Sequence, residues 1–380
     1  MGKSMEKLTP YYLIHPQKYN ENCAIIEEAF GNEWGKNVLY GYSVKTNYHP
    51  ALLHFAKNRG WLAEVVSWKE MLYVQKLGFG VGEIICNGPV KGKMINEAIC
   101  QKQILNLDNM QEVQDLCWYV KKEKICVDDL KIGLRVNFDL ERECPGETTA
   151  GEQVIRFGIC YENGDIEKAL KLLKANKIPV KGLHMHSSTK TRSQKVFSAL
   201  SKMSVRLAEE YNLFLEYIDI GGGFFGGKVL PGKPTMKEYA YIITSELKRK
   251  FDPSKVTLII EPGASVLATA VDYVTEVINV REIRGERVVT LDGTLLHINP
   301  FMAKRNPPFV LENEKHNETI LPVQHICGCT CMEMDRFCTL YETCEISNGS
   351  RLVFGDAGAY TMAFNSNFIV DPPLAYVDED

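Results

Sequence analysis

The sequence predicts an α/β protein, with a closed (β/α)8 barrel over residues 34–265 and an all-β domain built from residues 1–33 and 266–380. Three observations lead there. Short β-rich runs alternate eight times with longer amphipathic ones from Asn37 onward, and the alternation stops after Ser265. The 380 residues, 45% of them hydrophobic, are enough for one large core and a smaller one. Eight βα units in a single run favour a closed parallel barrel over an open doubly wound sheet.

In order, the expected barrel strands are Val38–Lys45, Trp61–Val65, Glu83–Cys86, Ile104–Leu107, Ile132–Asn137, Val180–His186, Tyr217–Ile220 and Val256–Glu261. Helical patterns with start signals lie between them. Ser67-Trp68-Lys69-Glu70 has the form of a capping box, and Asp108 precedes the period of Met110–Val120. After Ser265, the β-rich runs Tyr273–Val280 and Arg287–Leu291 meet at the turn Arg284-Gly285-Glu286. Thr319–Cys327 and Arg351–Gly355 read as further strands of this domain, and Tyr11–His15 is expected to join them. Phe138–Gln153 and Phe225–Pro234 read as loops.

A formal charge of −4 and a pI near 6.1 leave no electrostatic footprint for nucleic acid or an anionic membrane. No apolar stretch approaches a membrane span and Met1 to Pro10 is polar, so the expected location is cytoplasmic. Twelve scattered cysteines read as reduced thiols. Cys327, Cys329 and Cys331 would share one face of a strand, yet their spacing is tighter than paired metal ligands use, and no second cluster completes a site. No metal is expected.

In a βα barrel, chemistry gathers where the strands end. Those ends carry Lys45, Glu64, Asn87, Asp108, Arg135, His184, His186, the glycines after Asp219, and Glu261. A lysine closing an apolar strand is poorly solvated, which makes its amine a Schiff-base candidate. Gly221, Gly222 and Gly223 follow a strand and offer backbone N–H groups to a phosphate. A nucleotide site is excluded because Val229 replaces the hydroxyl a P-loop needs, and Pro231 and Pro234 block the helix. Lysine, anion cradle and carboxylate together suit pyridoxal 5'-phosphate. Lys45 would take the aldehyde, Glu261 would keep the pyridine nitrogen protonated, and His186 would stack on the ring.

At this point the chain resembles the fold-type III pyridoxal-phosphate decarboxylases of ornithine, diaminopimelate and arginine. Six motifs in order carry the resemblance: Tyr42-Ser43-Val44-Lys45-Thr46-Asn47, Gly182-Leu183-His184-Met185-His186, Asp219-Ile220-Gly221-Gly222-Gly223-Phe224, Glu261-Pro262-Gly263, Gly328-Cys329-Thr330-Cys331 and Gly358-Ala359-Tyr360. The resemblance implies a TIM-like barrel of the alanine racemase-like kind, and decarboxylation of an amino acid or amino-acid derivative at Cα. It further implies that Glu64 and Arg135 support the cofactor, that Thr189 stands for a phosphate-binding serine, and that Gly263 and Tyr360 line the cofactor site. It also implies a homodimer in which Cys331 reaches the partner's Lys45 site, and in which Cys331 or Lys45 protonates the carbanion.

The chain departs from that family at several positions. Ala264 stands where an arginine is common, Met332 where an acidic residue often holds a distal ammonium, and Asn299 where the diaminopimelate branch has an arginine. Glu333 or Asp335 could replace the acidic group, and Arg305 the arginine. Two other functions compete, a racemase or epimerase of the same fold and a catalytically silent homologue that binds a protein partner. Glu261 argues against the first because racemases pair the pyridine with arginine. Retention of Lys45, Glu261 and Cys331 argues against the second.

Overall fold

The computed structural model describes residues 7–151, 153–303, 307–312, 319–365 and 367–379. Its strands, in chain order, are β1 (Tyr11–Ile14), β2 (Val38–Ser43), β3 (Leu62–Val65), β4 (Ile84–Cys86), β5 (Ile104–Leu107), β6 (Lys131–Asn137), β7 (Ile159–Cys160), β8 (Gly182–His184), β9 (Tyr217–Asp219) and β10 (Thr257–Ile260). They continue with β11 (Val271–Ile283), β12 (Glu286–Leu291), β13 (Phe309–Glu312), β14 (Ile320–Cys327), β15 (Arg336–Cys344), β16 (Arg351–Phe354) and β17 (Leu374–Val377). Strands β2, β3, β4, β5, β6, β8, β9 and β10 pair in parallel in that order, and β10 returns to β2 to close the barrel. The two-residue β7 is an extra strand on β6, too short to leave a pattern in the sequence.

Strands covered on both faces become continuous apolar runs rather than alternating ones. Accordingly β3, β4 and β5 are buried at every residue. Leu62, Ile85, Ile104, Tyr217 and Ile259, with Leu39 against them, form an apolar plug inside the barrel. Outside, the helix Gln194–Glu210 buries Val196, Phe197, Leu200, Met203 and Leu207 along one stripe. Each contributes about 1.5–3 kcal/mol of transfer free energy before chain entropy is counted.

Helix starts are set by side chains that accept the first N–H groups. Ser67 accepts from Glu70 N at 3.2 Å, while the Glu70 carboxylate reaches back to Val66 N at 2.7 Å, one residue beyond a standard capping box. Asn109, not Asp108, caps Met110–Glu123, accepting from Glu112 N at 3.0 Å. Asp108 is instead held in an ion pair with Arg135.

Four expected barrel strands end earlier than the sequence suggested, among them β9, which stops at Asp219 and not Ile220. β2 stops at Ser43, its last pairing partner being Glu64, and Lys45 lies in a single 3-10 turn, Val44–Thr46. β8 stops at His184, leaving His186 beyond it, and β10 stops one residue before Glu261. Lys45, His186 and Glu261 therefore sit within two residues of the ends of their strands, just past the sheet.

The chain divides into two compact units, Asn22–Ser265 and Met1–Glu21 with Val266–Asp380. Residues 22–33, expected with the β-domain, belong to the barrel unit because the helix Pro16–Trp34 packs there. Trp34 Nε1 donates to Val256 O at 3.0 Å, and the Phe30 ring lies 6.0 Å from that of Phe224. In the other unit β11 pairs antiparallel with β1, β12 and β16, β14 pairs with β15, and β17 lies parallel to β1. Arg284 and Gly285 both have positive φ, 54° and 79°, the geometry of a tight two-residue hairpin. Strands β13, β15 and β17 were not anticipated.

Candidate active site

Lys45 reaches the buried carboxylate of Glu64 and forms an ion pair with its Oε2. The lysine side chain is 33% exposed and that of Glu64 1%. The sequence reading expected an amine isolated in apolar surroundings, whereas the structure gives it a carboxylate partner on the neighbouring strand. Asn87, after β4, links Glu64 to Glu261. Its Nδ2 donates to Glu261 Oε1 at 2.6 Å and to Glu64 Oε1 at 3.1 Å.

His184 and His186 stack with ring planes 9° apart and centroids at 6.1 Å. Burial first, then the Arg135 guanidinium, pushes His186 down to about 3 and His184 well below the usual imidazole range. Both rings are therefore neutral. His184 Nε2 lies 3.5 Å from Glu261 Oε2, and neither of its ring nitrogens has a hydrogen-bond partner among the described residues. Asp219 adjoins the same carboxylate, and His184, Asp219 and Glu261 bring ligand atoms within 4.8 Å of one another. Burial, followed by the Glu261 carboxylate beside it, raises Asp219 well above the usual carboxylate range.

The glycine loop runs hard against this cluster. A β-carbon on Gly221 would lie 2.5 Å from His186 Cβ, and one on Gly222 would lie 2.1 Å from Glu261 O. Gly222 N donates to His186 Nδ1 at 3.3 Å. The position of Gly223, φ +101°, leaves open space where a side chain would stand. Gly263 passes Thr46, whose Oγ1 a β-carbon would approach to 2.6 Å.

Arg135 is held by Asp108 at 2.9 Å and donates to His186 O at 3.3 Å, with its guanidinium over Phe157. Its Nε is buried without a hydrogen-bond partner among the described residues, as are Thr46 Oγ1 and Ser187 Oγ. Thr189 Oγ1 accepts from Arg192 N at 3.0 Å, closing a local turn, and keeps its hydroxyl proton for another acceptor. Buried orphaned donors around a glycine cradle are what an anionic, ring-bearing cofactor would satisfy.

In the β-domain unit, Cys331 is exposed after the Gly328–Thr330 turn. Two residues expected to meet substrate are engaged by their own loops. The Asp335 carboxylate accepts from Leu295 N at 2.7 Å, Thr330 N at 3.1 Å and Thr330 Oγ1 at 2.7 Å. Asn299 closes a loop on Ala303 through both ends of its amide. Glu333 is exposed and pairs with Arg336, and Met332 is half-buried. Arg305 lies outside the described residues. Tyr360 is partly exposed beside Phe364, with φ at 56°. Among the described residues no helix is long and apolar enough to cross a membrane.

Asn106 and Tyr217 went unnoticed in the sequence. Asn106 is the one polar residue in the strand Ile104-Leu105-Asn106-Leu107, which was the available signal. Tyr217 OH donates to Asn106 Oδ1 at 2.8 Å, and Asn106 Nδ2 donates to Asn87 Oδ1 at 2.9 Å.

A closed βα barrel with an amine, a glycine cradle and a buried carboxylate at its strand ends defines an enzyme that works with an anionic carbonyl cofactor. The chain belongs to the pyridoxal-dependent decarboxylases, for the model of that family's pyridoxal binding domain matches residues 17–268. It is 27% identical over 380 residues to diaminopimelate decarboxylase of Methanocaldococcus jannaschii, covering 95% of this chain and 84% of that protein. A probable chloroplastic diaminopimelate decarboxylase of Oryza sativa subsp. japonica is 24% identical over 389 residues, with 98% and 76% covered. Among solved structures, Helicobacter pylori diaminopimelate decarboxylase complexed with L-lysine superposes with a TM-score of 0.80 at 21% identity, covering 98% of this chain and 92% of that one. Arginine decarboxylase of Paramecium bursaria Chlorella virus gives 0.79 at 21%, with 99% and 98% covered. These likenesses establish the shared fold, and the family establishes the class of reaction, pyridoxal-phosphate-dependent decarboxylation of an amino acid.

Proposed function

We propose that Lys45 carries pyridoxal 5'-phosphate and that the chain removes the α-carboxylate of an amino acid at this centre. The observation that supports the reading is the linked set at the strand ends, in which Lys45 pairs with Glu64 and Asn87 joins Glu64 to Glu261. When bound, the cofactor supplies a ring that accepts the electrons left at Cα as carbon dioxide departs.

The chain's residues would do the rest. Glu261 would hold a proton on the ring nitrogen, and the neutral, flat His186 would support the ring face without adding charge. Gly221 to Gly223 and Thr189 would grip the phosphate, with Tyr360 as a further hydroxyl. Glu64 would keep the Lys45 amine oriented and take up its proton. Arg135 would hold the His186 backbone in place.

Cys331 would return the proton to Cα, contributed to the Lys45 site of a second copy in a homodimer. Its exposure supports this, as does the apolar surface in the same unit, where Phe301 is 66% exposed and packs on Phe364, 47% exposed. Diaminopimelate, after which the relatives are named, is the first substrate to try. Met332 and the engaged Asn299 favour an amino acid whose far end needs no charged partner from these two positions.

Borohydride reduction followed by peptide mapping tests the assignment. A pyridoxyl group on Lys45 is expected, and one on another lysine would sink it. Release of carbon dioxide from a panel of amino acids then identifies the substrate, and racemisation without gas would reject the decarboxylase reading.

A further inference from the structure

Two carboxylates converge on one amide, and this fixes the direction of every hydrogen bond behind it. Asn87 must turn its NH2 group toward Glu64 and Glu261, since its carbonyl oxygen would be repelled by both. Its Oδ1 then faces Asn106, which must present its own NH2, at 2.9 Å. Asn106 Oδ1 in turn faces the Tyr217 hydroxyl, which must donate, at 2.8 Å. The donors run from the apolar plug at Tyr217 to the two carboxylates, with a branch where Asn106 Nδ2 also donates to Asp219 Oδ2 at 3.3 Å, and each bond polarises the next.

All of these groups are buried, with Asn87 3%, Asn106 1% and Tyr217 4% exposed. Each is therefore shielded from bulk solvent. The barrel also makes room for the tyrosine, because a β-carbon on Gly133 would come within 2.3 Å of its hydroxyl oxygen and one on Gly182 within 2.0 Å of its Cζ.

We infer that Asn87, backed by Asn106 and Tyr217, is a positioning residue that aims Glu261 at the cofactor's ring nitrogen and holds Glu64 apart from it at Lys45. The inference rests on the pyridoxal phosphate reading of the site. Without Asn87, two buried carboxylates lose the donor they share, and the direction of Glu261 is set instead by the Asp219 and His184 it already adjoins. The consequence is specific to the ring nitrogen.

The test compares binding of pyridoxal 5'-phosphate with binding of its 1-deaza analogue, in which C–H replaces the ring nitrogen. Asn87→Ala should bind pyridoxal phosphate about tenfold to a hundredfold more weakly, as for loss of a hydrogen bond to a charged group. Its affinity for the analogue should stay within about threefold of wild type. Tyr217→Phe, which removes only the last donor and leaves the pocket wall intact, should show the same selectivity with a smaller loss. Equal losses for both ligands in either variant would make Asn87 a mere wall of the pocket and overturn the proposal. Wild-type protein that takes up neither ligand overturns the cofactor reading and this inference with it.

Discussion

Gly182 and Tyr217 are so close that a β-carbon on the glycine would lie 2.0 Å from the tyrosine Cζ. The two residues sit on adjacent strands, paired directly as Gly182 and Tyr217 in the β8–β9 register. The barrel interior therefore has room for the tyrosine ring only because its neighbour has no side chain. Gly182→Ala should destabilise the protein by about 1–3 kcal/mol or more through overpacking. Tyr217→Ala combined with it should recover part of that loss, and urea unfolding of the single and double variants measures the coupling.

Glu261→Gln keeps the shape of the side chain and removes its charge. With cofactor at saturating concentration, turnover should fall by about a hundredfold or more while the reduced adduct on Lys45 still forms, because the charge acts on the electron sink as well as on the hold of the ring nitrogen. Steady-state rates set beside borohydride trapping separate the two effects.

Acid should weaken the barrel through its histidines. His186 is pushed down to about 3 in the folded chain from an ordinary 6.5. Between those values the unfolded chain binds more protons, so stability is full above about 6.5 and is lost as pH falls toward 3. Thermal midpoints of the ligand-free protein across this range should drop more steeply for wild type than for His186→Phe.

Lys91 has a fully buried side chain, and its ammonium donates to Glu112 Oε2 at 2.8 Å and Gly88 O at 2.6 Å. Removing one partner strands a buried charge. Lys91→Met should be destabilised by about 3–5 kcal/mol, and Lys91→Met with Glu112→Gln should be more stable than Lys91→Met alone. Denaturant midpoints at constant slope decide it.

Much of the barrel was legible because strands buried on two faces leave unbroken apolar runs, and all eight appear within a few residues of their expected bounds. The ring of polar strand ends was legible for the same reason, since any charge ending such a run must face the cleft. What hid from the sequence depended on partners with no signature of their own. Asn299 and Asp335 looked like groups for substrate, yet their partners are largely backbone atoms of nearby loops, and backbone looks the same under every residue. Asn106 and Tyr217 meet only once the register of β5 and β9 across the barrel is known.

Ser43 and Glu261 touch across 218 positions of sequence, through a hydroxyl that donates to a carbonyl at 3.4 Å where β10 closes on β2. During synthesis, then, the lysine side of the pocket must wait for its carboxylate side until nearly the whole barrel has left the ribosome. On the proposed assignment, cofactor loading is a step that belongs to finished barrels and not to the nascent chain. A product cut short before Thr257 would carry Lys45 in its sequence without the carboxylate of Glu261 opposite it.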